Sequence, residues 1–330
     1  VEKNGGFLRL SDFEQYKPIV SESALSGRYR GLNVSAVGGP CAGPTVVEIL
    51  HIIDQFNLQA MGHGSVDFLH TLIESVKLAA VDRFSFMGDP AIYGFPIEVL
   101  ANSDYAATRG AQIDPSKASV FDSGDPWSFA GMERPSEFPE RAGSSPDSGT
   151  TSLTTADKHG NMVVLTQTNL AFSGVINPGV GVMMNDAMGW SAPMPGTVNS
   201  IAPFARALNN MAPTILHYDG RAVLAIGGSG GRKIWPAVVQ GIVNRVDFGM
   251  NLQEALEQPR IHVESDDPVV DPRFGDDVLT GLASRGHDYL FPPDEYVLWP
   301  FSEPNGISSD NGVLKSGLNP QTKPTHAAGH

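Results

Sequence analysis

Thr150 stands where a polar stretch gives way to a strand, and there its hydroxyl can become a nucleophile. A threonine hydroxyl is weak until a base takes its proton. Cutting the Gly149–Thr150 bond would free an α-amine, ordinary pKa about 8, to act as that base within the same residue. The residues before the threonine, Asp122 to Gly149, read DSGDPWSFAGMERPSEFPERAGSSPDSG. They are rich in Pro, Gly and Ser, have no apolar period, and are expected to form a flexible linker over about 122–149. The residues after it run as β-formers from Thr150 to Asp157, turn at Lys158-His159-Gly160-Asn161, and resume from Met162 to Thr168. That is the pattern of a β-hairpin. A β-branched residue opening a strand is also an ordinary strand residue, so the pattern alone leaves both readings open.

A second constellation is Gly227-Gly228-Ser229-Gly230-Gly231, a G-x-S-x-G run between an expected strand and an expected helix. Three readings fit it. Ser229 can be the nucleophile of a sharp elbow, with Asp271 and His287 as partners. The glycine N–H groups can cradle an oxyanion. The run can also be a tight turn and nothing more. It is not a phosphate loop, because Lys233 is out of register and no Ser or Thr follows it. His63 and His70 are two helical turns apart with no third ligand nearby, so no metal site is expected. Glu264-Ser265-Asp266-Asp267 reads as a solvated acidic turn, and Met183-Met184 and Trp190 as core or pocket wall. No cofactor is expected.

The elements that must position these residues are mixed in type. Tyr29 to Val37 reads as a strand, and Pro44 to Phe56 has a helical apolar rhythm in Val46, Val47, Leu50, Ile53 and Phe56. Ser65 reads as the N-cap of a long helix through Phe84, and Pro96 to Arg109 as another helix. Beyond the hairpin, Val180 to Met184 is an expected strand. Pro213 to Tyr218 and Arg221 to Ile226 pair around Asp219-Gly220. Lys233 to Phe248, Leu252 to Glu257 and Asp276 to Ser284 read as helices. Two packed sheets flanked by helices would accommodate this order.

The composition fits a globular protein, with 41% hydrophobic and 18% charged residues among 330. One cysteine, Cys41, excludes an internal disulfide. A formal charge of −14 argues against a nucleic-acid partner, since phosphate binding needs clustered Lys and Arg. No apolar run of about eighteen residues is present, so no membrane span is expected. The chain opens at Val1-Glu2-Lys3-Asn4-Gly5-Gly6, which reads as a helix end running into a glycine cap. A preceding segment is therefore expected, a trimmed or processed terminus being the alternative.

Taken together, the segments resemble the γ-glutamyltranspeptidase family of N-terminal-nucleophile hydrolases. The likeness runs from Gly5-Gly6-Phe7-Leu8, Asp12-Phe13 and Tyr16 through Ser26-Gly27-Arg28-Tyr29-Arg30-Gly31. Ala80-Val81-Asp82-Arg83 with Gly88-Asp89-Pro90 is similar to the family's ADR…GDP, with Val81 inserted. Thr150-Thr151, Asp157, Gly160-Asn161 and Thr166-x-Thr168 resemble its nucleophile signature. Met211-Ala212-Pro213-Thr214, Gly227-x-x-Gly230-Gly231 and Pro259-Arg260 resemble three later motifs in the same order. The resemblance implies an α+β fold, a four-layer αββα sandwich. It also implies a zymogen that cleaves itself at Gly149–Thr150 into a large subunit, whose C-terminal portion would be 1–149, and a small one, 150–330. Thr150 would be the nucleophile, Thr168 would orient it, and Gly230 and Gly231 would supply oxyanion N–H groups. Asn169 would match a substrate-pocket asparagine. The substrate would be a small-molecule amide or γ-glutamyl compound, as in glutathione metabolism.

The departures fall mostly on recognition. Ser152 stands where the family has a histidine two residues past the nucleophile, and Asn209-Asn210 replace a serine pair. A Gln and an Asp that hold the glutamyl ammonium fall near Ala187 and near Gly189 or Trp190, none of which offers a side-chain acceptor. The expectation is an amide hydrolase whose substrate is something other than glutathione. A true γ-glutamyl hydrolase or transferase, a Ser229 hydrolase and a binding homologue that never cleaves are the alternatives.

Overall fold

The computed structural model describes residues 5–141, 150–264, 267–291, 301–319 and 325–329. Its strands are β1 (Leu25–Tyr29), β2 (Leu32–Ala36), β3 (Thr151–Ala156), β4 (Met162–Gln167), β5 (Thr214–Tyr218), β6 (Arg221–Ser229), β7 (Ile261–His262), β8 (Val269–Val270), β9 (Glu303–Asp310) and β10 (Val313–Leu318). Its helices are α1 (Leu10–Gln15), α2 (Gly43–Ile53), α3 (Leu58–Met61), α4 (Val66–Phe86), α5 (Ser103–Gly110), α6 (Pro126–Phe129), α7 (Ile234–Val246), α8 (Leu252–Glu257) and α9 (Asp276–Ser284). An antiparallel sheet in the order β1-β2-β5-β6-β9-β10 forms the centre. Strands from both sides of Thr150 share it, so a cut at 149 would leave two interleaved pieces of one body.

Strand alternation decides what covers each face. Val34, Leu216, Leu224 and Ile226 turn toward α2, α4 and α7 and build one continuous apolar core with them. The other face of β6 and β9 is covered by the hairpin β3–β4. The described layers are thus helices, a six-stranded sheet and a two-stranded hairpin. The hairpin's outer residues Leu153, Val163 and Leu165 are exposed.

Ser65 caps α4 as expected, its hydroxyl accepting from the Phe68 N–H at 3.1 Å. From Phe68 to Phe86 every residue of α4 is buried, including several charges. Buried charges need partners, and α4 finds them. Lys77 pairs with Glu74 at 2.8 Å. Asp82 receives the Tyr105 hydroxyl at 2.8 Å and the Gly124 N–H at 2.7 Å, with Arg109 at 3.1 Å. Glu48 of α2 lies beside that carboxylate. Its burial first, and the charge of Asp82 second, push its pKa well above the ordinary value.

Several expectations are revised. The strand read over Tyr29 to Val37 is the β1–β2 hairpin, bent at Arg30-Gly31. The helix read over Pro96 to Arg109 is broken, and Asn102 caps a new start for α5. The linker's first third is packed: Asp125 caps α6, and Trp127 is buried among Phe86, Phe95 and Tyr105. Residues 142–149, Gly149 included, lie outside the described residues. The strand read over Val180 to Met184 does not form; Ile176 and Met183 make one isolated bridge. No strand among the described residues pairs along it, and its N–H groups at Gly181 and Met184 bond to Asn177 and Val175 instead, so the run stays irregular. The hairpin β9–β10 was not read from the sequence; its Gly and Ser content hides it.

Candidate active site

The hairpin that carries Thr150 is closed by Asp157. Its carboxylate accepts from the N–H groups of His159 and Asn161 at 2.8 and 3.0 Å and from the Asn161 amide at 2.8 Å. The ladder pairs Thr151 with Gln167 and Ser152 with Thr166. Continued one step, that register sets Thr150 opposite Thr168. The hairpin's inner face meets the central sheet: Thr154 Oγ1 donates to Asn305 at 3.1 Å. A Cβ on Gly227 would lie only 2.6 Å from Ser152 Oγ and 2.9 Å from Val164. Glycine there lets the two sheets close. Thr150 shares the inward parity of Ser152 and Thr154, and β6 runs three residues on from Gly227 into Gly230.

Gly230 has φ +124° and Gly231 φ +61°, so the chain turns sharply from β6 into a short 3-10 turn (Gly231–Lys233) and then α7. Those N–H groups start a helix and so have no intrahelical partner. Ser302 and Glu303 close the loop from behind. Ser302 Oγ donates to the Ser229 carbonyl at 2.5 Å, and Ser229 Oγ donates to Glu303 at 2.8 Å. The buried Arg260 guanidinium reaches the carbonyls of Leu256 (2.6 Å), Phe301 (3.3 Å) and Ser302 (3.4 Å), and burial lowers its pKa to about 10. Of the residues behind the loop, only Arg260, beside Pro259, was part of a sequence motif. Ser302 and Glu303 carried no signal, because they reach the loop only through the pairing of β6 with β9.

The partners suggested for Ser229 in the elbow reading are bonded elsewhere. His287 is bound to His70 at 2.7 Å, and Asp271 to Arg273 at 2.6 Å, so neither serves Ser229. The acidic turn is also revised. Glu264 is largely buried, with Arg232 at 2.9 Å and His262 at 3.2 Å. Burial works to raise its pKa, but His262, Arg232 and Arg83 outweigh it and hold the carboxylate below its ordinary range. Ser265 and Asp266 lie outside the described residues.

The residues expected to meet the substrate fall into two groups joined by one asparagine. Asn169 O accepts from the Asp186 N–H at 3.3 Å, and Leu170 N donates to Thr168 Oγ1 at 2.8 Å. Ala187 and Trp190 sit in a single 3-10 turn (Ala187–Trp190), and Trp190 is buried. Asn199 donates to the Trp190 carbonyl and accepts from the Leu208 N–H, each at 2.7 Å, which ties that turn to Asn209 and Asn210. The Asn209 side chain is tied up: its Nδ2 donates to Cys41 Sγ at 3.3 Å, and its Oδ1 accepts from the Met211 N–H at 3.1 Å. Asn210 Oδ1 accepts from Arg83 at 3.2 Å. The cause is Arg83, fully buried and in need of acceptors; burial lowers its pKa to about 10. Cys41 and Asn209 line a cavity of about 840 Å³ with Val37, Ile97, Arg206 and Tyr16. Among the described residues, no three His, Cys, Asp or Glu side chains are grouped as a metal would need.

Comparison with known proteins places this arrangement. The family profile described as Gamma-glutamyltranspeptidase matches residues 1–329. The chain is 32% identical to the glutathione hydrolase proenzyme of Escherichia coli K12, over 87% of its own length and 50% of that protein. It is 33% identical to the acylase ACY 1 proenzyme of Pseudomonas sp. strain V22, over 88% and 49%. It therefore spans about half the length of the curated relatives it matches. Its fold superposes on a cephalosporin acylase from Bacillus halodurans with a TM-score of 0.83 and 28% identity, covering all of this chain and 57% of that one. The architecture is α+β, of the N-terminal-nucleophile hydrolase type.

Proposed function

The chain belongs to the γ-glutamyltranspeptidase family, and on that footing we propose that it is the catalytic part of a self-cleaving amide hydrolase whose nucleophile is Thr150. The observation that carries the reading is positional. Thr150 heads an inward-facing strand opposite Thr168, and that strand lies on β6 just before the Gly230–Gly231 turn. In maturation, Thr150 Oγ attacks the Gly149 carbonyl carbon; the acyl group moves from nitrogen to oxygen and frees the Thr150 α-amine. Water then opens the ester and releases the Gly149 carboxylate. In turnover, the amine takes the hydroxyl proton as Oγ adds to the substrate carbonyl. Gly230 and Gly231 N–H groups stabilise the oxyanion. The proton passes to the departing amine, and water hydrolyses the remaining ester.

The acyl part is expected to lack the glutamyl ammonium. A buried ammonium without acceptors costs more than the roughly 2–7 kcal/mol of an unpaired neutral polar group. Ala187, Gly189 and Trp190 supply no side-chain acceptor, since an indole only donates. The names of the relatives divide the same way, one a glutathione hydrolase and one an acylase. The glutathione hydrolase likeness supports a second reading, a γ-glutamyl hydrolase or transferase, and the large and small pieces of one precursor serve either reading. Two measurements test the proposal. Mass spectrometry of the purified protein should find a fragment beginning at Thr150; an intact chain that still turns over substrate defeats the mechanism. A comparison of kcat/KM for γ-glutamyl and glutaryl anilides should favour the glutaryl compound; preference for γ-glutamyl by about tenfold (about 1.4 kcal/mol) restores the second reading.

A further inference from the structure

We propose that Ser302 is a positioning residue for the oxyanion donors, acting through the Ser229–Gly230 peptide; this rests on the reading that Gly230 and Gly231 face the reacting carbonyl. The peptide is planar and trans, so its C=O and N–H point in opposite directions. Whatever holds the Ser229 carbonyl therefore also aims the Gly230 N–H. Ser302 Oγ holds that carbonyl at 2.5 Å, from inside the protein. The Gly230 N–H is thereby directed the opposite way, away from Ser302.

A lock is needed at this peptide. Gly230, at φ +124°, has no side chain to restrain its φ, so rotation of the whole plane is cheap on that side. A rotated plane would offer the reacting carbonyl an oxygen instead of a donor. Ser302 also blocks retreat, since its Cα and Cβ lie 2.8 and 3.1 Å from where a Cβ on Gly230 would be.

Ser302 is itself held in place. It is buried and has φ +70°, a left-handed conformation that costs a non-glycine residue on the order of 1–3 kcal/mol. Its carbonyl accepts from Arg260 and from Asn319, each at 3.4 Å. A glycine would relieve the backbone, but it would remove the hydroxyl that the loop uses. Ser229 Oγ, bound to Glu303 at 2.8 Å, braces the same corner from the neighbouring strand.

The test uses the matured protein and compares wild type, Ser302→Ala, Ser302→Gly and Ser302→Cys, with Thr150→Ala as control. Loss of aim should act on the transition state. Ser302→Ala should lower kcat about 10- to 100-fold with KM within about threefold, short of the 10²–10³ typical for a donor removed outright. Ser302→Gly should do the same despite its relaxed backbone, and Ser302→Cys, a weaker donor, should fall between. A boronic acid that forms a tetrahedral adduct on the threonine should lose affinity in parallel with kcat/KM. Wild-type kcat in Ser302→Ala, or recovery in Ser302→Gly, overturns the proposal. If Ser302→Ala does not mature, Ser302→Cys decides: reduced kcat at unchanged KM supports it, and wild-type kcat sinks it. An active Thr150→Ala protein would instead show that the parent reading has failed.

Discussion

The two halves of the candidate site are built differently. The Gly227–Gly231 run is supported on every side: β9 pairs with it, the hairpin lies on Gly227, and Ser302, Glu303 and Arg260 stand behind it. The stretch from Asn169 to Phe204 is irregular, and Phe172, Val180, Val182 and Phe204 are exposed. It is tied down at a few points, chiefly Asn199. Groups that must meet a transition state to within a fraction of an ångström belong on sheet and helix termini. Groups that choose among substrates can sit on loops, where replacement does not disturb the core. Two of the departures from the family motifs, at Ala187 and at Gly189 or Trp190, fall in the second half.

The hardest blow to the comparison is Thr150→Ala. It should leave a single uncleaved chain and activity at background, read by gel and by anilide release. A cleaved or active variant would move the chemistry off the hairpin altogether. Next comes Gly230→Ala. Its new Cβ would fall 2.8 Å from Ser302 Cα, at a φ that an L-residue avoids. A kcat loss of about 10²–10³ is expected, with a smaller change in KM. An equal loss in KM instead would place Gly230 in binding.

The loop half is tested by adding what it lacks. Ala187→Gln with Gly189→Asp should shift the γ-glutamyl to glutaryl ratio of kcat/KM toward γ-glutamyl by about tenfold. The Asp side chain must displace Leu170 Cδ2, 2.9 Å from the added Cβ, and a leucine tip can move. An unchanged ratio would mean that this turn does not meet the acyl group.

A fourth expectation lies away from the site. His70 and His287 share a hydrogen bond inside the protein, and His70 also donates to the Asp114 carbonyl at 2.8 Å. Burial lowers both pKa values, and the neighbouring His70, Lys77 and Arg285 help to bring His287 to about 3. The unfolded chain takes up these protons near pH 6.5, whereas the folded one resists until much lower. Stability from the pair is therefore complete above about pH 6.5 and falls as pH drops toward 3. The urea midpoint should decline between pH 7 and 4.5, and less steeply in His287→Gln; identical slopes would remove the pair from the account. The smallest effect is Ser229→Ala, which should cost less than about fivefold in kcat, because Ser229 Oγ only braces Glu303. Complete loss with normal maturation would return the elbow reading, now without its histidine.

Much of the local structure was legible because local rules govern it. Ser65 caps α4, Asp157 closes the hairpin, and the apolar period of α2 faces the sheet, all within a few residues of chain. The order of short motifs was enough to identify the family, since a motif survives where backbone geometry demands a particular residue. Composition misled where burial was decided elsewhere. The Pro- and Ser-rich stretch after Asp122 looked unstructured, yet Trp127 fills a hole left by Phe86 and Phe95. Glu264 looked solvated, but Arg232, in the turn that follows β6, pairs with it.

The sequence by itself determined the threonine at the head of a hairpin, the glycines that permit close approach, and the absence of acceptors at Ala187, Gly189 and Trp190. Those are properties of residue type and of neighbours along the chain. Only the tertiary structure decided which groups serve that site. Ser302 lies 73 residues from Ser229 and becomes its partner through strand pairing. The Asn209 carbonyl and the Asn210 side chain turn to Arg83, a buried guanidinium that has to be satisfied, while the Asn209 side chain donates to Cys41. His287, which the sequence offered as a partner for Ser229, is bonded instead to His70. Contacts of that range depend on how the whole sheet closes, and no window of sequence contains both partners.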